Sequence, residues 1–184
     1  MAAITTTQIP LGFQAPDFRL LDTLSDKELS LEELKSDRAT VIMFICNHCP
    51  YVKHIQEQLV KLADDYMSKG IAFIAISSND AVNYPEDAPA KMKETGQEFN
   101  FPFPYLYDET QDIARAYDAA CTPDFNIFDG ELKCVYRGQL DDSRPGNGIP
   151  VTGADIRVAL DALLEGREVS KEQKPSIGCS IKWA

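Results

Sequence analysis

Two uninterrupted apolar runs mark the chain, Val41-Ile42-Met43-Phe44-Ile45 and Ile71-Ala72-Phe73-Ile74-Ala75-Ile76. Short runs without polar alternation suit strands buried on both faces, as in a parallel sheet. Between them Val52, Ile55, Leu59, Leu62 and Tyr66 recur at the spacing of one helix face, and Ser68-Lys69-Gly70 supplies a stop. Strand, crossover helix and strand in that order predict a parallel, right-handed βαβ unit.

The flanking segments give weaker patterns. Residues 1–10 read as a loose lead-in. Asp17 to Asp22 and Lys27 to Leu31 predict two strands joined across Thr23–Asp26, followed by a helical turn at Leu31–Leu34 that ends near Asp37. After the second apolar run the chain is polar to Asn100, with one helix expected over Ala88–Thr95. Phe101 to Tyr107 reads as an extended segment that Pro102 and Pro104 should keep off a central sheet position. Thr110 to Tyr117 predicts a short helix with Thr110 as its N-cap. Phe125, Ile127 and Phe128 mark a strand opened by Pro123. Asp129-Gly130 signals a hairpin turn, and Cys134 to Arg137 returns. A Gly- and Pro-rich loop over 141–153 leads to an amphipathic helix, Ala154 to Glu165, closed by Gly166.

The chemistry lies where the first strand meets its helix, at Cys46-Asn47-His48-Cys49-Pro50. Unpaired N–H groups and the positive dipole end stabilise an anion at a helix N-terminus. The thiolate is such an anion and is the nucleophile of disulfide exchange. Cys46 is therefore expected to be the exposed, low-pKa attacker and Cys49 the less accessible resolving thiol. His48, in its cationic form, should favour the Cys46 thiolate further. Pro50 falls in the first helical turn, where its missing N–H costs little.

Other readings of a lone C-x-x-C are a structural pair of core cysteines and half of a zinc site. There is no second C-x-x-C, and His48 and His54 are the two histidines. A redox pair is the preferred reading, with no metal and no cofactor. A module carrying Cu(I) or Zn²⁺ on Cys46, Cys49 and His48 or His54 is the remaining non-enzymatic alternative.

Composition narrows the partners. The 184 residues suit one domain, with a core over about 10–167 and a tail over 168–184. A net charge of −11 makes nucleic acid and anionic membrane surfaces poor partners. No run approaches the ~18 apolar residues of a membrane span. The start lacks the basic and apolar segments of a secretory signal. Five cysteines, an odd count, argue against a secreted disulfide framework and for a reducing cytoplasm.

With Gly12-Phe13-Gln14-Ala15-Pro16-Asp17-Phe18, the CNHCP motif, Cys121-Thr122-Pro123-Asp124-Phe125 and the helix before the tail, the chain resembles the thioredoxin-like members of the redoxin (AhpC/TSA) superfamily. CNHC also resembles the C-x-H-C of the protein disulfide isomerase and DsbA groups. The resemblance implies an α/β thioredoxin-like fold: a central mixed sheet flanked by helices, with an N-terminal β-hairpin and an extended C-terminal tail. It implies a cis bond at Thr122–Pro123 beside the Cys46–Cys49 pair, with the Thr122 backbone as the edge on which a substrate peptide pairs. The implied activity is thiol–disulfide oxidoreduction, with protein or small-molecule thiols and disulfides as substrates and a recycling thiol reductant.

Two features depart from the resemblance. Thioredoxins bury an acid behind the second cysteine, and Val41–Ile45 offers no carboxylate. The peroxiredoxin pattern P-x-x-x-T/S-x-x-C, the basis of a thiol peroxidase alternative, meets Ile42 and Cys46 where it needs proline and Thr/Ser when laid on Cys49. The family's arginine has no counterpart near Thr122.

Three further cysteines need a role. Cys134 lies in a strand pattern and reads as a buried small hydrophobe. Cys121, two residues before Pro123, and Cys179, in the apolar end of the tail, are candidates for additional redox thiols. For both, packing is the preferred role. Trp183, near Cys179, is expected to dock the tail over an apolar patch or sheet edge.

Overall fold

A computed structural model describes residues 3–184. Its strands are β1 (Ala3–Thr5), β2 (Arg19–Asp22), β3 (Lys27–Ser30), β4 (Ala39–Phe44), β5 (Ile71–Ser77), β6 (Tyr105–Tyr107), β7 (Cys121–Thr122), β8 (Asp124–Asp129), β9 (Cys134–Gly138) and β10 (Ile177–Ser180). The helices are α1 (Leu31–Leu34), α2 (Pro50–Met67), α3 (Pro89–Glu98), α4 (Asp112–Ala116) and α5 (Ala154–Leu164).

Seven strands form a mixed sheet in the order β3-β2-β6-β5-β4-β8-β9. The apolar run of β4 lies between a parallel neighbour, β5, and an antiparallel one, β8. Every residue of β4 is buried, which is why its sequence does not alternate. Val41 and Met43 face one core with α2, α3 and α5, whereas Ile42 and Phe44 face the other with α1 and α4. The hairpin of β2 and β3 forms as expected. Ser30 and Glu33 close a reciprocal capping box on α1.

Several local expectations need correction. β6 is interior, between β2 and β5, despite the nearby prolines. Pro102 and Pro104 precede the three paired residues, so no ladder hydrogen bond is lost. Thr110 is not the N-cap of α4; Gln111 is, in a left-handed conformation. The buried Asp108 carboxylate accepts the Ala114 N–H at 2.9 Å instead. The lead-in is not loose: Ala3–Thr5 forms a strand, and residues 1 and 2 of that expectation lie outside the described ones.

The tail departs furthest from expectation. β10 inserts between β1 and β7 in a second, three-stranded antiparallel sheet. Cys179 pairs with Thr122 and Ser180 with Cys121. The expected anchor, Trp183, remains 43% exposed with the Arg115 guanidinium over its ring, while Ile181 is buried in the α1/α4 core. Backbone pairing and Ile181, rather than the tryptophan, seat the tail.

Candidate active site

Cys46 follows β4, and Cys49 is the N-cap of α2, with Pro50 as its first residue. Both lie just ahead of the helical turn in which they were expected. The Thr122–Pro123 bond is cis and stands against the pair. Cys46 Sγ is 3.3 Å from Thr122 Oγ1, and Cys49 Sγ is 3.3 Å from the Thr122 carbonyl oxygen. The structure thus brings together Cys46, Cys49, Thr122 and Pro123, as the sequence predicts.

The expected substrate edge is not free. The Thr122 backbone is already paired with β10, which brings Cys179 Sγ to 2.8 Å from Cys49 Sγ. Cys46, Cys49 and Cys179 are 1%, 0% and 4% exposed. The exposed Cys46 of the sequence reading is therefore corrected: tail and cis-proline loop close over the pair. All five cysteines are free thiols in this form.

The hydrogen bonds around the pair act in opposite senses on its two thiols. Hydrogen bonds from the Cys46 thiol, then from the Cys179 thiol and the Val52 N–H, lower Cys49 to about 4 against the cost of its burial. Cys46 is pushed well up, because its proton is held toward Cys49, because it is buried and because the Asp87 carboxylate repels a second negative charge. These donors favour the charge of the pair at Cys49, the helix N-cap, where the dipole also helps.

His48 lies beside the pair, with a ring nitrogen within 4.8 Å of Cys46 Sγ. Its Nδ1 is bound to the Asp87 carboxylate, and its ring stacks on Tyr84 with centroids 5.2 Å apart. His54 is further removed, bonded to Ser143 Oγ at 2.7 Å.

Asp87 was missed from the sequence, yet it organises the motif. Its Oδ1 accepts the backbone N–H groups of Asn47 at 2.8 Å and His48 at 3.1 Å. Its Oδ2 accepts Asn79 Nδ2 at 2.9 Å as well as His48 Nδ1. Asn79 Oδ1 in turn accepts the Lys182 N–H at 2.9 Å, so one polar chain joins the motif to the tail. Tyr105 donates its hydroxyl to Asn47 Oδ1 at 3.0 Å. Asp87 ends a single 3₁₀ turn in the polar stretch after β5, where no periodicity marks it. The one faint signal was an acid after Pro85.

Cys46, His48 and Asp87 place ligand atoms within 4.8 Å of one another. The Asp87 oxygens are already taken by the motif's own donors, so the cluster reads as a hydrogen-bonded support rather than a metal cradle.

Cys121 lies on the other side of the cis-proline, with Sγ 3.7 Å from the Pro123 carbonyl and 4.0 Å from Thr6 Oγ1. Burial pushes its thiol well above the ordinary range. Asp124 beside it is fully buried and raised to about 6, chiefly by burial. Arg137 donates from Nη1 to Asn126 Oδ1 and the Tyr117 carbonyl, within the α1/α4 side of the sheet.

A profile of the AhpC/TSA family matches residues 11–137. The chain belongs to this family. Among solved structures, an uncharacterized conserved protein from Geobacillus kaustophilus is 67% identical with a TM-score of 0.98, covering 100% of this chain and 97% of that one. A hypothetical protein from Sinorhizobium meliloti is 47% identical with a TM-score of 0.95, covering 98% of each chain. The thioredoxin domain of a thiol-disulfide oxidoreductase from Bacteroides vulgatus is 19% identical with a TM-score of 0.60, over 71% of this chain and 89% of that one. That likeness shows the thioredoxin-like fold. Comparison with curated proteins finds no match. AhpC/TSA membership and the paired thiols beside the cis-proline support a thiol redox function. Among the described residues no helix is long and apolar enough to cross a membrane.

Proposed function

We propose that the protein is a thiol–disulfide oxidoreductase in which Cys46 and Cys49 form the redox couple. The observation that carries this reading is the pair of thiols at the N-terminus of α2, each sulfur 3.3 Å from Thr122 of the cis-Thr122–Pro123 loop, where the helix dipole favours one thiolate charge. A single proton transfer moves that charge from Cys49 to Cys46. Cys46, on the loop rather than at the helix N-cap, then attacks a substrate disulfide. One substrate sulfur leaves with the electron pair, and a mixed disulfide remains on Cys46. Cys49 attacks Cys46, releases the second substrate thiol and closes the Cys46–Cys49 disulfide. An external thiol reductant restores the dithiol. Cytoplasmic residence, which fits an odd count of five cysteines better than a secreted disulfide framework does, belongs to the same proposal.

Peroxide reduction is the second reading. Its support is family membership, and its obstacle is that Ile42 and Cys46 stand where proline and Thr/Ser are needed.

Trapping separates attacker from resolver. Reduced Cys49→Ser protein treated with oxidised glutathione should accumulate a mixed disulfide on Cys46, read by mass spectrometry. The Cys46→Ser protein should form at least about a hundredfold less of it per unit time. Equal trapping at either cysteine, or none, contradicts the assignment.

A further inference from the structure

The tail strand β10 sits where a substrate peptide would pair, and its own cysteine meets the site. The backbone of Thr122 pairs with Cys179, and the two sulfurs of Cys179 and Cys49 stand 2.8 Å apart. The neighbouring residue makes this approach feasible. A Cβ on Gly178 would fall 1.9 Å from the Thr122 carbonyl oxygen and 2.6 Å from its carbon, so a glycine is needed for β10 to lie this close. The strand is then held on both edges, by β1 and β7, and at its ends by Ser176 Oγ donating to the Pro123 carbonyl at 2.6 Å and by the Lys182 N–H donating to Asn79. Cys134 shows what a filler cysteine looks like in this chain: it is buried in the other core, its sulfur 3.3 Å from the Tyr136 carbonyl.

We propose that Cys179 is a third redox-active thiol, which takes over the active-site disulfide so that the oxidised protein rests with a Cys49–Cys179 bond and a free Cys46. The proposal rests on the dithiol reading of Cys46 and Cys49. Once those two are joined, Cys49 carries no charge. Burial foremost, then the hydrogen bond to Cys49 and the repulsion of its charge, hold the Cys179 proton in the reduced form; joining Cys46 to Cys49 removes the last two, while Lys182 still favours a Cys179 thiolate. That thiolate attacks Cys49 Sγ. The Cys49–Cys179 bond forms, the Cys46–Cys49 bond breaks, and the electron pair leaves on Cys46, which takes up the proton given up by Cys179. The step is an internal exchange with no net oxidation. An external thiol reductant then meets Cys49–Cys179, while Cys46 stays available to a further disulfide.

The test uses the full chain, oxidised with a stoichiometric amount of diamide, acid-quenched, alkylated and mapped by mass spectrometry. In the wild type most chains should carry Cys49–Cys179 with Cys46 alkylated. Cys179→Ser should carry Cys46–Cys49, and Cys46→Ser should still form Cys49–Cys179, which a merely packed Cys179 would not do. Wild-type chains joined through Cys46–Cys49 with Cys179 alkylated would overturn the relay and leave the dithiol reading standing. No disulfide in the wild type or in Cys179→Ser would overturn both.

Discussion

Asp87→Asn is expected to destabilise the reduced protein by about 3–5 kcal/mol, the range for removing one partner of a buried charged network. The Asp87 side chain is fully buried and receives four donors, two of them the backbone N–H groups of Asn47 and His48. An amide can accept on one atom only, so its NH₂ must face the Asn79 amide or the His48 ring. For a chain of this size, each 1 kcal/mol lowers the melting temperature by roughly 2–4 °C. The same substitution acts on the thiols in the opposite sense, because it removes a negative charge that pushes Cys46 up. Thermal melting and a pH titration of thiolate ultraviolet absorbance read the two effects. The wild-type titration should centre near 4, from Cys49. In Asp87→Asn a second thiolate should appear at lower pH than in the wild type. An unchanged melting temperature, or a wild-type midpoint near the ordinary thiol value of about 8.5, contradicts this. The lowered Cys49 value stabilises the folded, reduced chain. That contribution is complete above the unfolded thiol range and falls away as pH drops toward 4.

Gly178→Val is expected to raise the modification rate of Cys46 and Cys49 by roughly 5- to 150-fold, the equivalent of 1–3 kcal/mol of overpacking against the docked tail. The valine Cβ would collide with the backbone of Thr122, which has no free rotamer to yield. β10 must therefore move away from β7, lifting Cys179 from Cys49. Local release of this strand uncovers the pair, and on this account the open population sets the rate. A chromogenic disulfide reagent, with peptide mapping of the modified cysteines, measures it. An unchanged rate at both cysteines would show that something other than the tail covers the pair.

Much of this architecture was legible because it is local. The apolar runs of β4 and β5, the helix face from Val52 to Tyr66 and the turn at Asp129-Gly130 each carry their own period or punctuation. Cys46, Cys49 and Pro123 were legible for the same reason. Asp87 and β10 were not. Asp87 lies forty residues from Asn47 and acts through backbone N–H groups, which no side-chain pattern reports. The four residues of β10 alternate no polarity, and their partners, Thr122 and Ala3–Thr5, are distant in sequence. The helix N-terminus pointed to a stabilised thiolate on one of the two cysteines. It did not show which sulfur holds the charge, because that depends on the donors Cys46 and Cys179 around Cys49.

The most direct test of the redox couple is its reduction potential, measured by equilibrating the protein with glutathione buffers and quantifying the intramolecular disulfide. The stabilised thiolate favours the reduced form. The expected result is one two-electron couple at a potential more positive than about −270 mV, the value for thioredoxin. A chain that shows no reversible couple, or one at or below that potential, would contradict a dithiol site organised around a stabilised Cys49 thiolate.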